Sequence, residues 1–424
     1  MEDIIVAFVR DQLKLNSSST RSQVLVPRKS GELGILKPST MYHAKRTSFL
    51  LSVLNSDDQH VRAVARGSFD LHMQKRKVTL YDTEDEDEFG KYKVDEDYRI
   101  LKQSKINWTR STFVELNELC RRLGVRLNFE EHTDRYSVAV PASEDGVVNF
   151  TFTDHRQLYS AIKRMEVDKD IRHFAELQQQ GRLQREALPA ADMSCSLGHL
   201  TVGSLSDNIA RFAAKGRLQL LETNAMNRTY YPETYPGHCT LCGFHTDTNS
   251  HALNGCSALR GLYTERHNRC VQLIKEQLET NISTDSVQIY DGEVVKIGGM
   301  PVLDRCKPDL CIIDNAHKKA FIVEVSNPFD AFLQECFDHK FQKYLPLCFA
   351  LADAGFESKI VVLIIGALGT VHKKVVTGLR MLGLSTRQSK SLARYLSVSV
   401  IIGSGRAWTR RGYLLSRMEL SQPQ

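Results

Sequence analysis

The spacing of four residues constrains the fold of this chain more than any other feature of its sequence. Cys239, Cys242, His251 and Cys256 form the pattern Cys-x2-Cys-x8-His-x4-Cys. Two cysteines close together on a tight turn bring both thiolates to one ion, and Gly243 gives the turn its freedom. A histidine and a third cysteine complete the tetrahedral set that zinc prefers. We therefore predict a small zinc knuckle with a structural or nucleic-acid-docking role. The alternative is a chance grouping of buried cysteines.

The composition bounds the class of protein. The 424 residues include ten cysteines and carry a net charge of +6. Few cysteines for this length favour a reducing compartment over a disulfide scaffold. No apolar run is long enough for a transmembrane helix, and charged residues near the start do not fit a secretory signal. Residues 359–424 contain eleven Lys and Arg residues against Glu419, a net charge of +10. Such a basic end indicates a polyanionic partner, most often nucleic acid, or else a solvated basic face.

Apolar periodicity predicts a mostly helical first half, then the knuckle, then a region of mixed helix and strand. The predicted helices cover 39–56, 61–72, 112–123, 155–184 and 203–222. The predicted strands cover 125–129, 136–140, 147–152 and 359–365. A strongly acidic run over 81–100 predicts an exposed linker. The predicted fold class is therefore a multidomain α+β or α/β chain.

Two acidic residues lie in matching positions of a predicted β-hairpin. Asp309 precedes one apolar run, and Glu324 lies in the next, after a polar turn. A hairpin brings both carboxylates to one end of the sheet, where they can hold a divalent cation. Such a cation polarises a phosphodiester and lowers the pKa of an attacking water. Lys340 and Lys343 follow closely enough to stabilise the charge on the phosphate. The alternative is a pair of structural acids at strand ends.

The order of these motifs resembles the C-terminal part of non-LTR retrotransposon proteins with a restriction-like endonuclease, which insert at ribosomal-RNA or spliced-leader genes. The matching residues are the four of the knuckle, Arg266-His267-Asn268, Lys307-Pro308-Asp309 and Glu324. Residues 31–66 resemble the thumb that follows the palm of the reverse transcriptase, and residues 203–235 resemble the helical linker of these proteins. The resemblance implies five regions: a thumb-like helical region (1–80), the acidic linker (81–100), a helical linker with a small sheet (101–236), a CCHC zinc knuckle (237–260) and the nuclease (261–424).

The resemblance also implies an activity. Asp309 and Glu324 match the acidic pair of a PD-(D/E)xK core, a mixed sheet flanked by helices, which binds Mg²⁺ or Mn²⁺. His267 belongs to the basic-His-Asn motif that opens the nuclease. The implied reaction is nicking of target DNA, whose free 3′ end primes reverse transcription. The aromatic-x-Asp-Asp turn of a polymerase palm does not occur in the sequence, so we expect no polymerase activity.

One departure concerns the catalytic lysine. The usual position, two residues after the second acid, is occupied by Ser326. Lys340 matches a lysine that this family carries on the following helix, and Tyr344 matches its aromatic companion. Lys343 remains an alternative to Lys340.

Ten residues are candidate nucleic-acid contacts because they are cationic, aromatic beside cations, or part of the matching motifs. They are Arg266, Asn268, Lys307, Lys343, Lys373, Lys374, Arg406, Trp408, Arg410 and Arg411. For Trp408 the alternative is a place in the core.

The leading hypothesis is thus a DNA endonuclease module with a structural Zn²⁺ and a catalytic Mg²⁺ or Mn²⁺. Its partners would be target DNA and element RNA, without a membrane, and it would act in the nucleus, with the cytoplasm as a second location. The rival hypothesis is a catalytically inactive nucleic-acid-binding knuckle protein derived from such an element. A purely structural zinc protein is the third.

Overall fold

The computed structural model describes residues 2–15, 19–26, 34–35, 37–75, 124–130, 132–141, 147–150, 154–196, 198, 205–280, 287–295 and 306–420. The chain mixes helices with two small sheets, as predicted, and divides into two compact units. The first unit is Met1–Ile4 with Ile35–Ile171, and the second is Ile5–Gly34 with Arg172–Gln424. The predicted acidic linker and the predicted helix over 112–123 lie outside the described residues. No helix within the described ranges is both long and apolar enough to cross a bilayer.

The helices in chain order are α1 (Glu2–Gln12), α2 (Ser22–Leu25), α3 (Pro38–Leu54), α4 (Gln59–Lys75), α5 (His155–Glu176), α6 (Arg182–Glu186), α7 (Met193–Ser196), α8 (Asp207–Arg217), α9 (Asn224–Tyr230), α10 (Arg260–Glu279), α11 (Leu333–Asp353), α12 (Val375–Met381) and α13 (Thr386–Leu420). The strands are β1 (Arg126–Glu130), β2 (Arg135–Pro141), β3 (Val147–Phe150), β4 (Val287–Asp291), β5 (Leu310–Asp314), β6 (Lys319–Ser326) and β7 (Glu357–Ile364). A π-helical turn covers His251–Gly255.

The first unit packs α3, α4 and α5 around an antiparallel sheet in the order β1-β2-β3. The three predicted strands and the two predicted helices before the acidic run are confirmed within a few residues. Asn55, just after α3, is buried, and its side-chain amide forms hydrogen bonds with the backbone of β2. Its Nδ2 donates to the Tyr136 carbonyl over 2.6 Å, and its Oδ1 accepts from the Tyr136 amide over 2.7 Å. Both backbone groups of Tyr136 are therefore satisfied where the strand meets the helix.

The second unit contains a four-stranded sheet in the order β4-β5-β6-β7. The pairs β4–β5 and β5–β6 are antiparallel, so the predicted hairpin is confirmed, and β6–β7 is parallel. A parallel pair needs a long crossover, and α11 supplies it. The apolar residues of β7 make it a fully buried strand at its C-terminal end.

Side-chain alternation assigns each residue of this sheet to one of two faces. Leu310 and Val323 pack with α10, α12 and α13, whereas Cys311 and Ile322 pack with α11. Glu324 has the same parity as Ile322. It therefore lies on the face covered by α11.

A buried histidine connects the end of β7 with α11. The ring of His372 stacks on Phe337 of α11, with centroids 4.7 Å apart and planes 16° apart. Its Nδ1 accepts from the Lys374 amide over 3.3 Å, so Nε2 carries the proton and donates to Gln334 Oε1 over 3.2 Å. This arrangement fits the neutral imidazole.

We predict that protonation of His372 destabilises the second unit in acid. Burial lowers the pKa of His372 from 6.5 to about 4, and Lys373 and Lys374 act in the same direction while Asp338 opposes them. Because the unfolded chain binds the proton more tightly, this contribution is fully present above pH 6.5 and is lost as the pH falls toward 4. The loss amounts to about 3 kcal/mol.

Urea unfolding between pH 7 and pH 4 measures this effect. His372→Gln should lose less stability over that interval than the parent protein. His339→Gln, which replaces an exposed histidine of α11, should follow the parent. Equal pH slopes for all three proteins would contradict the assignment.

Candidate metal centre and candidate active site

The four residues of the predicted knuckle, Cys239, Cys242, His251 and Cys256, converge in the structure; we call them the Cys/His cluster. Their ligand atoms all lie within 4.8 Å of one another. The Cys239 and Cys256 sulfurs are 3.9 Å apart, and the Cys242 sulfur is 3.3 Å from His251 Nε2. Ligands about 2.0–2.3 Å from a tetrahedral zinc stand roughly 3.5–4 Å from each other. The cluster could therefore hold a zinc ion.

Two different turns bring the ligands together. Gly243 has a φ of +74°, and its amide donates to the Cys239 carbonyl over 2.8 Å. The Cys239 amide in turn donates to the Phe244 carbonyl, which closes the turn between the first two ligands. His251 begins the π-helical turn, and its carbonyl accepts from the Cys256 amide over 2.9 Å. The wide turn thus places the last two ligands side by side.

The surroundings disfavour thiolates that have no positive partner. Burial raises the pKa of the Cys256 thiol to about 12, and it also raises the pKa of Cys239. Thiolates at these positions therefore need a positive partner, which a zinc ion could supply when it displaces the thiol protons. Phe244 stacks on the His251 ring at 4.7 Å and 3°, which fixes the orientation of the imidazole.

We predict about one equivalent of zinc per chain, since all four ligands come from the protein. Cys242→Ser should lose the metal and expose residues 237–260 to protease. Cys348→Ser, at a free cysteine outside the cluster, should keep both the metal and the protection. Elemental analysis and limited proteolysis give the two measurements. If the Cys242→Ser protein resists protease as well as the parent does, the metal does not stabilise residues 237–260.

The acidic pair lies at one edge of the sheet: Asp309 directly precedes β5, and Glu324 is near the C-terminal end of β6. Glu324 is 3 % exposed, and both of its oxygens have partners on α11. Lys340 Nζ donates to Oε1 over 2.5 Å, and the Tyr344 hydroxyl donates to Oε2 over 2.6 Å. Residues four apart share a helix face, so α11 presents both groups together. The predicted grouping of Glu324, Lys340 and Tyr344 is therefore observed.

The contacts of Lys340 and Tyr344 shift the pKa of each side chain. Burial acts to lower the pKa of Lys340, but the hydrogen bond to Glu324 and the charges of Glu324 and Asp309 outweigh it and raise the pKa. Burial and the bond to Glu324 raise the pKa of Tyr344 far above its ordinary value. At neutral pH the lysine is charged, and the tyrosine keeps its proton.

Asp309 is held by the neighbouring strand and by α10. Its Oδ2 accepts from the Val325 amide over 2.7 Å and lies 3.3 Å from His267 Nε2. His267 Nε2 also lies 3.2 Å from the Val325 carbonyl. The hydrogen bond to Asp309 raises the pKa of His267 to about 9, although burial opposes it. His267 is thus a cation beside the Asp309 carboxylate, which agrees with its predicted place in the candidate site.

The two candidate lysines differ in what they touch. Lys340 contacts Glu324 directly, whereas Lys343 Nζ donates to the Tyr344 hydroxyl over 2.8 Å. Tyr344 is fully buried, and its hydroxyl oxygen also lies 2.8 Å from the Lys307 carbonyl. Lys343 is exposed, and its hydrogen bond to Tyr344 connects it with Glu324 only indirectly.

Most predicted nucleic-acid contacts are exposed and remain predictions: Asn268, Lys307, Lys343, Lys373, Lys374, Arg406 and Arg410. Arg406 lies 3.6 Å from Glu265, and both side chains are mostly in solvent. Trp408 is half-buried, 6.4 Å from the Phe212 ring and beneath the Arg411 guanidinium. Part of its ring packs against protein, in line with the alternative of a place in the core, and its contact with nucleic acid stays a prediction.

Two predicted contacts are wrong because the side chains are inside the protein. Arg411 is 3 % exposed and forms an ion pair of 2.5 Å with Asp247, which is fully buried. Arg266 is 5 % exposed, and both of its terminal nitrogens donate to protein atoms. Neither guanidinium can reach a phosphate in this structure.

The sequence interpretation missed two features. Asp247 connects the loop of the Cys/His cluster with α13 through Arg411, and its Oδ2 also accepts from the Asn224 amide. Tyr413, which is half exposed, lies beneath the guanidinium groups of Arg410 and Arg417 at 5.0 and 5.6 Å. The second feature follows helical spacing and could have been found; the first joins residues far apart in the chain.

No protein-family model matches this chain, and no curated protein matches it either. The chemistry assigned to the site therefore depends on its geometry.

Proposed function

We propose that the second unit is a metal-dependent DNA endonuclease with a PD-(D/E)xK core, which nicks target DNA for a non-LTR retrotransposon. The observation that carries the proposal is the grouping of Asp309 and Glu324 at one end of adjacent strands, with Lys340 bonded to Glu324. Metal-assisted hydrolysis of a phosphodiester needs ligands that hold the ion, and a nearby cation can stabilise the charge that develops on the phosphate.

The donor chemistry fits a hard divalent cation. Asp309 and Glu324 offer carboxylate oxygens, which are the ligands that Mg²⁺ and Mn²⁺ prefer. When bound, such an ion supplies a Lewis acid for the phosphodiester and a more acidic water. The protein orients its own ligands: the Val325 amide and His267 hold Asp309, and Tyr344 holds Glu324.

Lys340 would serve as the cation nearest to the reacting phosphate. Its ammonium is charged, and its hydrogen bond to Glu324 already holds it in the candidate site before DNA binds. A preorganised charge of this kind stabilises the transition state because it needs no reorganisation during the reaction. Lys343 and the Lys307 carbonyl both contact the Tyr344 hydroxyl, and the exposed side chains of these two lysines would contact the DNA backbone.

We predict that Asp309→Ala and Glu324→Ala each slow the nicking of supercoiled plasmid in Mg²⁺ by ~100-fold or more. Asp314→Ala is the matched control, since Asp314 is the last residue of β5 and lies at the other end of that strand from Asp309. It should nick at the rate of the parent. Activity that survives in both Asp309→Ala and Glu324→Ala would end the nuclease proposal.

A second prediction separates the two lysines. Lys340→Ala should lower the single-turnover nicking rate ~100-fold at saturating DNA, because the charge beside Glu324 is gone. Lys343→Ala should keep that rate but weaken DNA binding and reduce the salt slope by about 1, as expected for a phosphate contact. The reverse pattern would assign the catalytic role to Lys343.

The alternative function is a nucleic-acid-binding protein without cleavage. One observation favours it: both oxygens of Glu324 already have protein partners. This alternative predicts salt-dependent binding of DNA or RNA together with no Mg²⁺-dependent or Mn²⁺-dependent nicking in the parent protein.

A further inference from the structure

Arg266 is a buried cation that connects the Cys/His cluster with other elements of the second unit. Its Nη1 donates to the Leu253 carbonyl over 3.1 Å, and its Nη2 donates to Asn254 Oδ1 over 3.1 Å. Leu253 and Asn254 lie in the π-helical turn between the ligands His251 and Cys256. The guanidinium therefore binds the segment that joins two of the four ligands, His251 and Cys256.

The same guanidinium also holds the end of β6. Nη2 donates to the Asn327 carbonyl over 3.2 Å, and Asn254 Nδ2 donates to the same carbonyl over 2.9 Å. Asn327 is buried and follows β6 directly, three residues after Glu324. The π-helical turn is thus bonded to the strand of the acidic pair twice, once through Arg266 and once through Asn254.

The residue after Arg266 contacts the other acid. His267 lies against Asp309 and the Val325 carbonyl. Two adjacent residues of α10 therefore contact the two ends of one short segment, residues 325–327: His267 lies against the Val325 carbonyl, and Arg266 donates to the Asn327 carbonyl. A shift of α10 or of the π-helical turn would move the amide of Val325, which is the donor to Asp309.

Helix α13 closes this connection from the other side. Ser404 Oγ accepts from Arg266 Nη1 over 2.7 Å. A Cβ at Gly403 would come within 2.9 Å of the Arg266 side chain, so only glycine permits this approach. Burial makes the partners indispensable, since an unpaired guanidinium inside a protein is strongly destabilising.

We propose that Arg266 is a positioning residue through which metal occupancy of the Cys/His cluster sets the geometry of the acidic pair. The inference rests on the proposed nuclease function for its purpose, although the coupling itself does not require cleavage. The cluster has a small apolar core, so its metal supplies much of its order. Loss of that order weakens the contacts of Leu253 and Asn254 with Arg266, and the Asn327 carbonyl loses the hydrogen bond from Asn254.

The first readout is hydrogen exchange of the Val325 amide. In the parent, removal of zinc by a chelator should raise its exchange rate ~10-fold, the size of an ordinary coupling between sites. In Arg266→Gln the rate should already be raised with zinc bound, and the chelator should raise it little further. A purely structural role for Arg266 would give additive changes instead.

The second readout is the affinity for Mn²⁺, measured by titration calorimetry in the absence of DNA. Arg266→Gln should bind Mn²⁺ ~10-fold more weakly than the parent, with zinc content unchanged. Arg269→Gln is the matched control: it removes an exposed arginine from the same helix and should equal the parent in both readouts. Asn254→Ala keeps all four cluster ligands and should reproduce part of both effects, so the test survives if Arg266→Gln does not fold.

The outcomes separate the two proposals. If the parent nicks DNA but Arg266→Gln and Asn254→Ala keep parental exchange and Mn²⁺ affinity, the coupling is overturned and the nuclease stands. If the parent does not nick but zinc still controls the Val325 amide through Arg266, the coupling stands and the nuclease proposal fails.

Discussion

The buried carboxylate of Glu324 is the constraint on which the second unit depends. A charge that is 3 % exposed needs partners on every side, because its desolvation is costly. Lys340 and Tyr344 supply them from a single face of α11. The need to satisfy one carboxylate therefore fixes the rotation of the crossover helix against the sheet. Tyr344, in turn, reaches the Lys307 carbonyl and so ties down the segment that precedes Asp309.

The same constraint explains how the basic C-terminal end is used. Of its eleven cations, Arg411 is placed inside, where it neutralises Asp247 beside the Cys/His cluster. Lys373, Lys374, Arg406 and Arg410 are exposed. The positive charge thus has two physical roles: one arginine holds α13 to the cluster, and the others leave a positive surface that would attract a polyanion.

Local patterns in the sequence predicted much of this architecture. The cluster spacing, the hairpin with its acids, and the three small strands all depend on residues close together in the chain, and the structure contains them. Arg266 and Arg411 were misassigned because their partners, Ser404 and Asp247, lie more than a hundred residues away. A sequence motif shows that an arginine is present, but only the packed structure shows whether its side chain is buried. Which of Lys340 and Lys343 contacts Glu324 depends on the rotation of α11, which the sequence pattern left open.

The two candidate sites differ in what stabilises them, and this difference decides how they influence each other. The acidic pair stands on strands buried between two apolar layers, which resist deformation. The Cys/His cluster packs against a smaller apolar group, so a bound metal would supply a larger share of its order. Coupling free energy is reciprocal, so a cation at the acidic pair would strengthen metal binding at the cluster by the same factor. The structural response is nevertheless unequal: the cluster is the part that loses order, and Arg266 carries the change to the end of β6.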